Sequence, residues 1–138
     1  WNRGLPLIYG GQENPNNKRL KFFDKDQIDW QPKPQLHQFY KKLLALHKTN
    51  AVAIGETFNL PTDNKHVMAF LRRSANEVVL VILNFSDDKK IKLNVEHNWL
   101  QGAFTNIFSE MQFTFNGRET FELMGHDYIV YKSDFTAR

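Results

Sequence analysis

The chain has 138 residues, 41% of them hydrophobic and 24% charged, with a formal net charge of +3 and no cysteine. That is one domain, or a domain with an appendage, long enough to bury a core without staples and unlike disordered, collagenous or coiled-coil chains. Disulfides and thiolate metal sites are excluded, and no apolar run approaches the roughly 20 residues of a membrane helix.

The first four residues, Trp1-Asn2-Arg3-Gly4, carry neither an initiator Met nor a signal-peptide pattern and read as the cut end of something longer. Next, Leu5-Pro6-Leu7-Ile8-Tyr9 is a short apolar run closed by Gly10-Gly11, the pattern of a buried strand. Residues 14–20 are turn chemistry. The spacing of Leu36, Phe39, Tyr40, Leu43, Leu44 and His47 predicts a helix over residues 34–48, with Pro34 in its first turn and Asn50 as a stop.

After residue 50 the period changes from 3.6 to 2. Strands are expected over residues 66–72, 77–85, 89–95, 104–108, 112–115, 120–123 and 128–132. Turn signals separate them at Ser74-Ala75-Asn76, Ser86-Asp87-Asp88, Asn116-Gly117 and Gly125-His126-Asp127. Residues 77–85, rich in Val and Ile, make the expected central strand, with Val79, Val81 and Leu83 facing the middle of an antiparallel β-sandwich. The fold class is thus mainly β, divided near residue 50.

Chemical motifs are sparse. The basic residues are dispersed (Lys18, Arg19, Lys21; Lys41, Lys42; Arg72, Arg73; Lys89, Lys90) rather than gathered among stacking aromatics, so nucleic acid is not an expected partner. The five histidines, at 37, 47, 66, 97 and 126, have no metal-ligand spacing, and neither a metal nor another cofactor is expected. Gln12-Glu13 behind the glycines would repel a phosphate. Asp24, Asp26 and Asp29 are close in sequence, but glycosidic acid/base work needs two carboxylates flanking a substrate at about 5–9.5 Å. Beside Lys25, solvated or ion-paired roles are expected for them. Trp99 and Phe104 flank a turn and are candidates for stacking on a sugar ring.

Three stretches carry a family resemblance. Gly4-Leu5-Pro6-Leu7-Ile8-Tyr9-Gly10-Gly11-Gln12-Glu13 resembles the G-x-P-x-I-Y-x-G-Q-E segment of the α-amylase superfamily, the family 13 glycoside hydrolases. Phe22-Phe23-Asp24-Lys25-Asp26-Gln27-Ile28-Asp29-Trp30 is similar to the family's F-F-x-K-D-x-I-D-W stretch. Residues 36–48 resemble its last barrel helix, with Leu46-His47-Lys48 where LRK is common.

The resemblance implies that residues 1–50 are the final strand, loop and helix of a (β/α)8 catalytic barrel and that residues 51–138 are the all-β domain C. It places Gln12, Glu13 and Asn14 at the rim of a sugar cleft, because active sites of such barrels lie at the C-terminal ends of the strands. It also places the nucleophile Asp, acid/base Glu and second Asp on strands four, five and seven, all before Trp1, so no catalytic residue falls in this chain. The implied parent is a retaining α-glycosidase that acts on starch or maltooligosaccharides through the missing barrel, and export is the expected location. The alternatives are a carbohydrate-binding module or a catalytically silent amylase-like scaffold. The 5–9 strand, without its neighbours, is a candidate edge for self-association.

Overall fold

The computed structural model describes residues 4–87 and 90–134. It divides into two compact units, Trp1–Lys48 and Thr49–Arg138. Asp88 and Lys89, the end of one expected turn and the start of one expected strand, lie outside the described residues.

In the first unit the 5–9 run is not a strand, and Leu5 and Leu7 are 91% and 85% exposed. A strand exists through its ladder partners, and none flanks this run among the described residues of the unit. The helix α1 spans His37–His47. It starts three residues later than expected because Pro34 closes a turn ahead of it, its carbonyl accepting the His37 N–H at 3.1 Å.

The second unit opens with a short helix α2, Asn50–Ala53, placed where Asn50 was expected only to stop α1. Six strands follow: β1 Glu56–Leu60, β2 Val67–Arg73, β3 Glu77–Asn84, β4 Ile91–Asn106, β5 Gln112–Leu123 and β6 Tyr128–Asp134. All pairings are antiparallel, in the order β1-β2-β3-β6-β4-β5. β4 meets β6 only at Thr105↔Lys132 and Asn106↔Tyr131. The rest of the β4–β5 ribbon shares one apolar cluster with the other four strands, to which Leu60, Leu71, Leu80, Leu93, Phe115 and Tyr131 contribute one residue from each strand. One continuous sheet thereby makes both layers of the sandwich.

Three expectations are corrected. β1 was not foreseen. The four short strands expected between residues 89 and 123 are two long ones, because the chain bulges instead of turning. The β4–β5 register shifts between Glu96 and Gln101, and Gly117, at φ +99°, supplies on β5 the left-handed conformation that a side chain resists. Finally, β3 is inverted relative to the expectation. Val78, Leu80 and Ile82 enter the main core, while Val79 and Val81 are buried on the opposite face and Leu83 is half-buried. On the exposed face of the ribbon, Lys92↔Glu122, Asn94↔Thr120 and Glu96↔Arg118 stand opposite one another, joined by Lys92–Glu122 at 3.6 Å, Thr120–Asn94 at 2.8 Å and Arg118–Glu96 at 2.9 Å.

Candidate functional site

In the first unit the proposed rim residues build a compact loop. Gly11, at φ +92°, accepts from the N–H groups of Asn14 and Asn16, both at 3.1 Å. A Cβ there would meet Asn16 and Ile28 at 3.1–3.3 Å, so glycine fits the turn on both counts. Gln12 Oε1 accepts from the Tyr9 N–H at 2.9 Å. Asn14 clamps the returning chain: its Oδ1 accepts from the Gln31 N–H at 3.0 Å and its Nδ2 donates to the Asp29 carbonyl at 2.5 Å. The Glu13 carbonyl accepts from the Leu36 N–H at 2.9 Å, tying the loop to the residue before α1.

The Glu13 side chain differs from its neighbours. Its Oε2 is buried with no hydrogen-bond partner among the described residues. Glu13 lines a groove of about 690 Å³ together with Ile8, His37, Tyr40 and Leu44.

The three loop aspartates do not form a carboxylate pair with catalytic character. Asp26 is ion-paired to Lys18 and accepts from the Lys21 and Gln27 N–H groups. Lys18 first, and those N–H groups with it, hold the Asp26 carboxyl below the usual carboxylate range. Asp24 faces Lys21 at 3.8 Å, and Asp29 lends its carbonyl to Asn14.

In the second unit, Trp99 and Phe104 part company. Phe104 is fully buried and stacks on Phe115 at 4.7 Å. Its ring has no free face for a sugar, which corrects the stacking expectation. β4 alternation drives this, since Leu100 and Phe104 both point into the core. Trp99 is half-buried against the same core, with the Arg73 guanidinium over its ring at 4.8 Å. His97 sits between Phe58 at 4.5 Å and Trp99 at 4.7 Å, and its Nδ1 accepts from the Trp99 N–H at 3.1 Å. Burial, then the Arg73 charge, push His97 below the usual imidazole value. A ring covered by an arginine on one side and packed on a core on another is part of the wall of the sandwich.

Two polar clusters that the sequence did not single out fix the unit internally. Buried Arg72 donates to the carbonyls of Ala51 at 3.2 Å and Val52 at 2.7 Å, holding α2 against β2. Glu77 accepts from the Ala51 N–H at 3.0 Å and pairs with Lys132 at 3.1 Å, which also reaches Asp134 at 2.8 Å. Burial works against the Glu77 charge, but the Ala51 N–H and Lys132 prevail and hold its carboxyl below the usual range. At the other end, buried Asn84 donates to the Met124 carbonyl at 2.7 Å and accepts from Ser86 at 2.8–2.9 Å. A polar residue in an apolar strand, as Arg72 and Asn84 are, was the available signal.

No group of three or more His, Asp or Glu residues that could hold a metal ion occurs among the described residues. Fold and side chains together define an antiparallel β domain preceded by a separate helical unit. The chain belongs to the family described as Maltogenic Amylase, C-terminal domain, whose model matches residues 59–130. It is 28% identical over 112 residues to a cyclomaltodextrin glucanotransferase of Bacillus sp. (strain 1-1), covering 75% of this chain and 15% of that protein. By fold it is similar to a noncanonic maltogenic α-amylase from Thermotoga neapolitana, with a TM-score of 0.76 at 20% identity over 97% of this chain and 34% of the other. A cyclomaltodextrin glucanotransferase with a three-domain ABC distribution gives 0.70 at 20% identity, over 97% and 30%. The chain thus spans about one-seventh to one-third of the length of these proteins. The resemblance expected from the sequence is borne out, and the binding-module alternative is not favoured.

Proposed function

We propose that this chain is the C-terminal segment of an α-amylase-type hydrolase or transferase acting on α-glucans such as starch and maltooligosaccharides. Residues 1–50 complete its (β/α)8 barrel and residues 51–138 cap it. The observation that carries this reading is the family match over residues 59–130, which begins in β1 and ends in β6. The first unit supports it in its own way. The exposed Leu5 and Leu7, and the groove with the unpartnered Glu13 oxygen, are the surfaces that further barrel strands and helices would cover.

In that setting the loop of Gln12, Glu13 and Asn14 lies at the rim of the cleft, rigid because Asn14 bridges Asp29 and Gln31. The chemistry belongs to the parent: one carboxylate attacks the anomeric carbon, a second protonates the leaving oxygen, and water then releases the glycosyl group with retention. The 138-residue chain supplies neither carboxylate.

The test uses the open reading frame that contains this chain. Its full product should cleave a chromogenic maltoside with retention, and the 138-residue chain alone, at high concentration, should not. Turnover by the chain alone that disappears on substituting Asp24, Asp26 or Asp29 would overturn the reading.

A further inference from the structure

Asn116 is followed by Gly117, and this is the sole Asn-Gly pair in the sequence. The pair lies on β5 at the bulge, where the pairing passes from Gln101↔Asn116 directly to Glu96↔Arg118 and leaves Gly117 outside the register. Asn116 is exposed. Its Oδ1 accepts from the Arg118 N–H at 3.0 Å, an Asx turn that folds the side-chain amide back over the Asn116–Gly117 peptide. Gly117 brings no Cβ to obstruct approach to its nitrogen.

We propose that Asn116 is a site of spontaneous covalent modification, where the folded chain converts the asparagine amide to aspartate and isoaspartate. Gly117 is itself buried, so the bulge must open for its nitrogen to lose its proton to solvent base and attack Asn116 Cγ. Negative charge develops on Oδ1, the atom already facing the Arg118 N–H, so the donor is in place before the charge appears. The Cγ–Nδ2 bond then breaks and the nitrogen leaves as ammonia with a proton from solvent. Water opens the resulting succinimide at either carbonyl, giving aspartate or isoaspartate, and no oxidant or reductant takes part.

The consequence reaches the core. Isoaspartate adds a methylene to the main chain next to the Gly102↔Phe115 pair, and Phe115 stacks on the buried Phe104. The new carboxylate also stands beside Glu119, whose Oε1 accepts from the Asn116 N–H at 2.6 Å. An aged chain should therefore carry one more negative charge and melt lower than a fresh one.

The experiment incubates the folded chain in mildly alkaline buffer and maps peptides by a method that resolves aspartate from isoaspartate. A synthetic peptide spanning residues 113–120 is treated in parallel. The expected result is conversion at Asn116 ahead of every other asparagine of the folded chain. The acidic charge variant should be lost in Asn116→Gln, which keeps an amide but lengthens the ring to be closed. Conversion of the peptide with Asn116 intact in the folded chain would overturn the proposal, as would equal conversion at asparagines followed by larger residues.

Discussion

Arg72 shows how a single residue can fix an element. α2 has four residues, too few to be stable alone, and its carbonyls need partners. Arg72 supplies two donors from β2, and Glu77 accepts at the other end. Arg72→Met keeps most of the packing and removes both donors, at about 1–3 kcal/mol for each carbonyl left without a partner. Thermal unfolding should show a clear fall in Tm, with Arg72→Lys intermediate. An unchanged Tm would mean that solvent replaces the guanidinium.

His97 gives a pH signature that comes from burial rather than from an ion pair. Its folded-state value is depressed, by burial first and by Arg73 second. The unfolded chain therefore takes up the proton more readily, and stability falls as pH drops below about 6.5, the ordinary histidine value. Protonation also ends the acceptor role of Nδ1 toward the Trp99 N–H. Urea midpoints measured across this range should decline toward acid in the native chain and be flatter in His97→Gln. The Glu77 carboxyl, held low, contributes a separate loss at more acidic pH, as it is protonated through its folded-state value.

At the scale of the element, β3 decides most. It is apolar on both faces, with Val78, Leu80 and Ile82 on one and Val79 and Val81 on the other, all fully or almost fully buried. Leu80→Ala should cost about 2–5 kcal/mol, and Val81→Ala less, since it removes fewer carbons from a separate contact surface. Equal melts for the two variants would place both faces in equivalent surroundings.

The same strand explains what the sequence could tell. Ile91, Leu93 and Val95 alternate with Lys92 and Asn94, so the buried side of β4 is legible in the sequence, because polar residues mark the other side. β3 has no such mark, so its existence was legible and its register was not. Asn116-Gly117 read as a hairpin turn because the local preference is real, but a left-handed glycine also serves a bulge, and only the partner strand distinguishes the two. β1 was legible and overlooked: Phe58 and Leu60 alternate with Thr57 and Asn59 before Pro61. Of the site candidates, Asn14 and Gln12 brace the loop, and Phe104 is core because β4 turns it, like Leu100, to the inner face, where it stacks on Phe115.

At the scale of the whole molecule, the two units differ in how they treat apolar surface. The second gathers most of its buried apolar side chains into one cluster fed by six strands. The first leaves Leu5, Leu7, Phe22 and Phe23 at 85–94% exposure, and Phe22 and Phe23 meet edge to face at 4.8 Å. Exposed apolar groups of this kind favour association, and the 5–9 run has main-chain groups open to a partner strand. Taken as an isolated chain, the protein should self-associate through residues 1–50 in a concentration-dependent way. Light scattering over a dilution series checks this, and the combined change Leu5→Ser, Leu7→Ser, Phe22→Ser and Phe23→Ser should shift the distribution toward monomer. None of these four side chains belongs to the main core of the second unit, so the melt of that unit should stay unchanged and separate lost association from lost folding. A native chain that is monomeric at every concentration would show that its own residues, rather than a partner surface, satisfy the first unit.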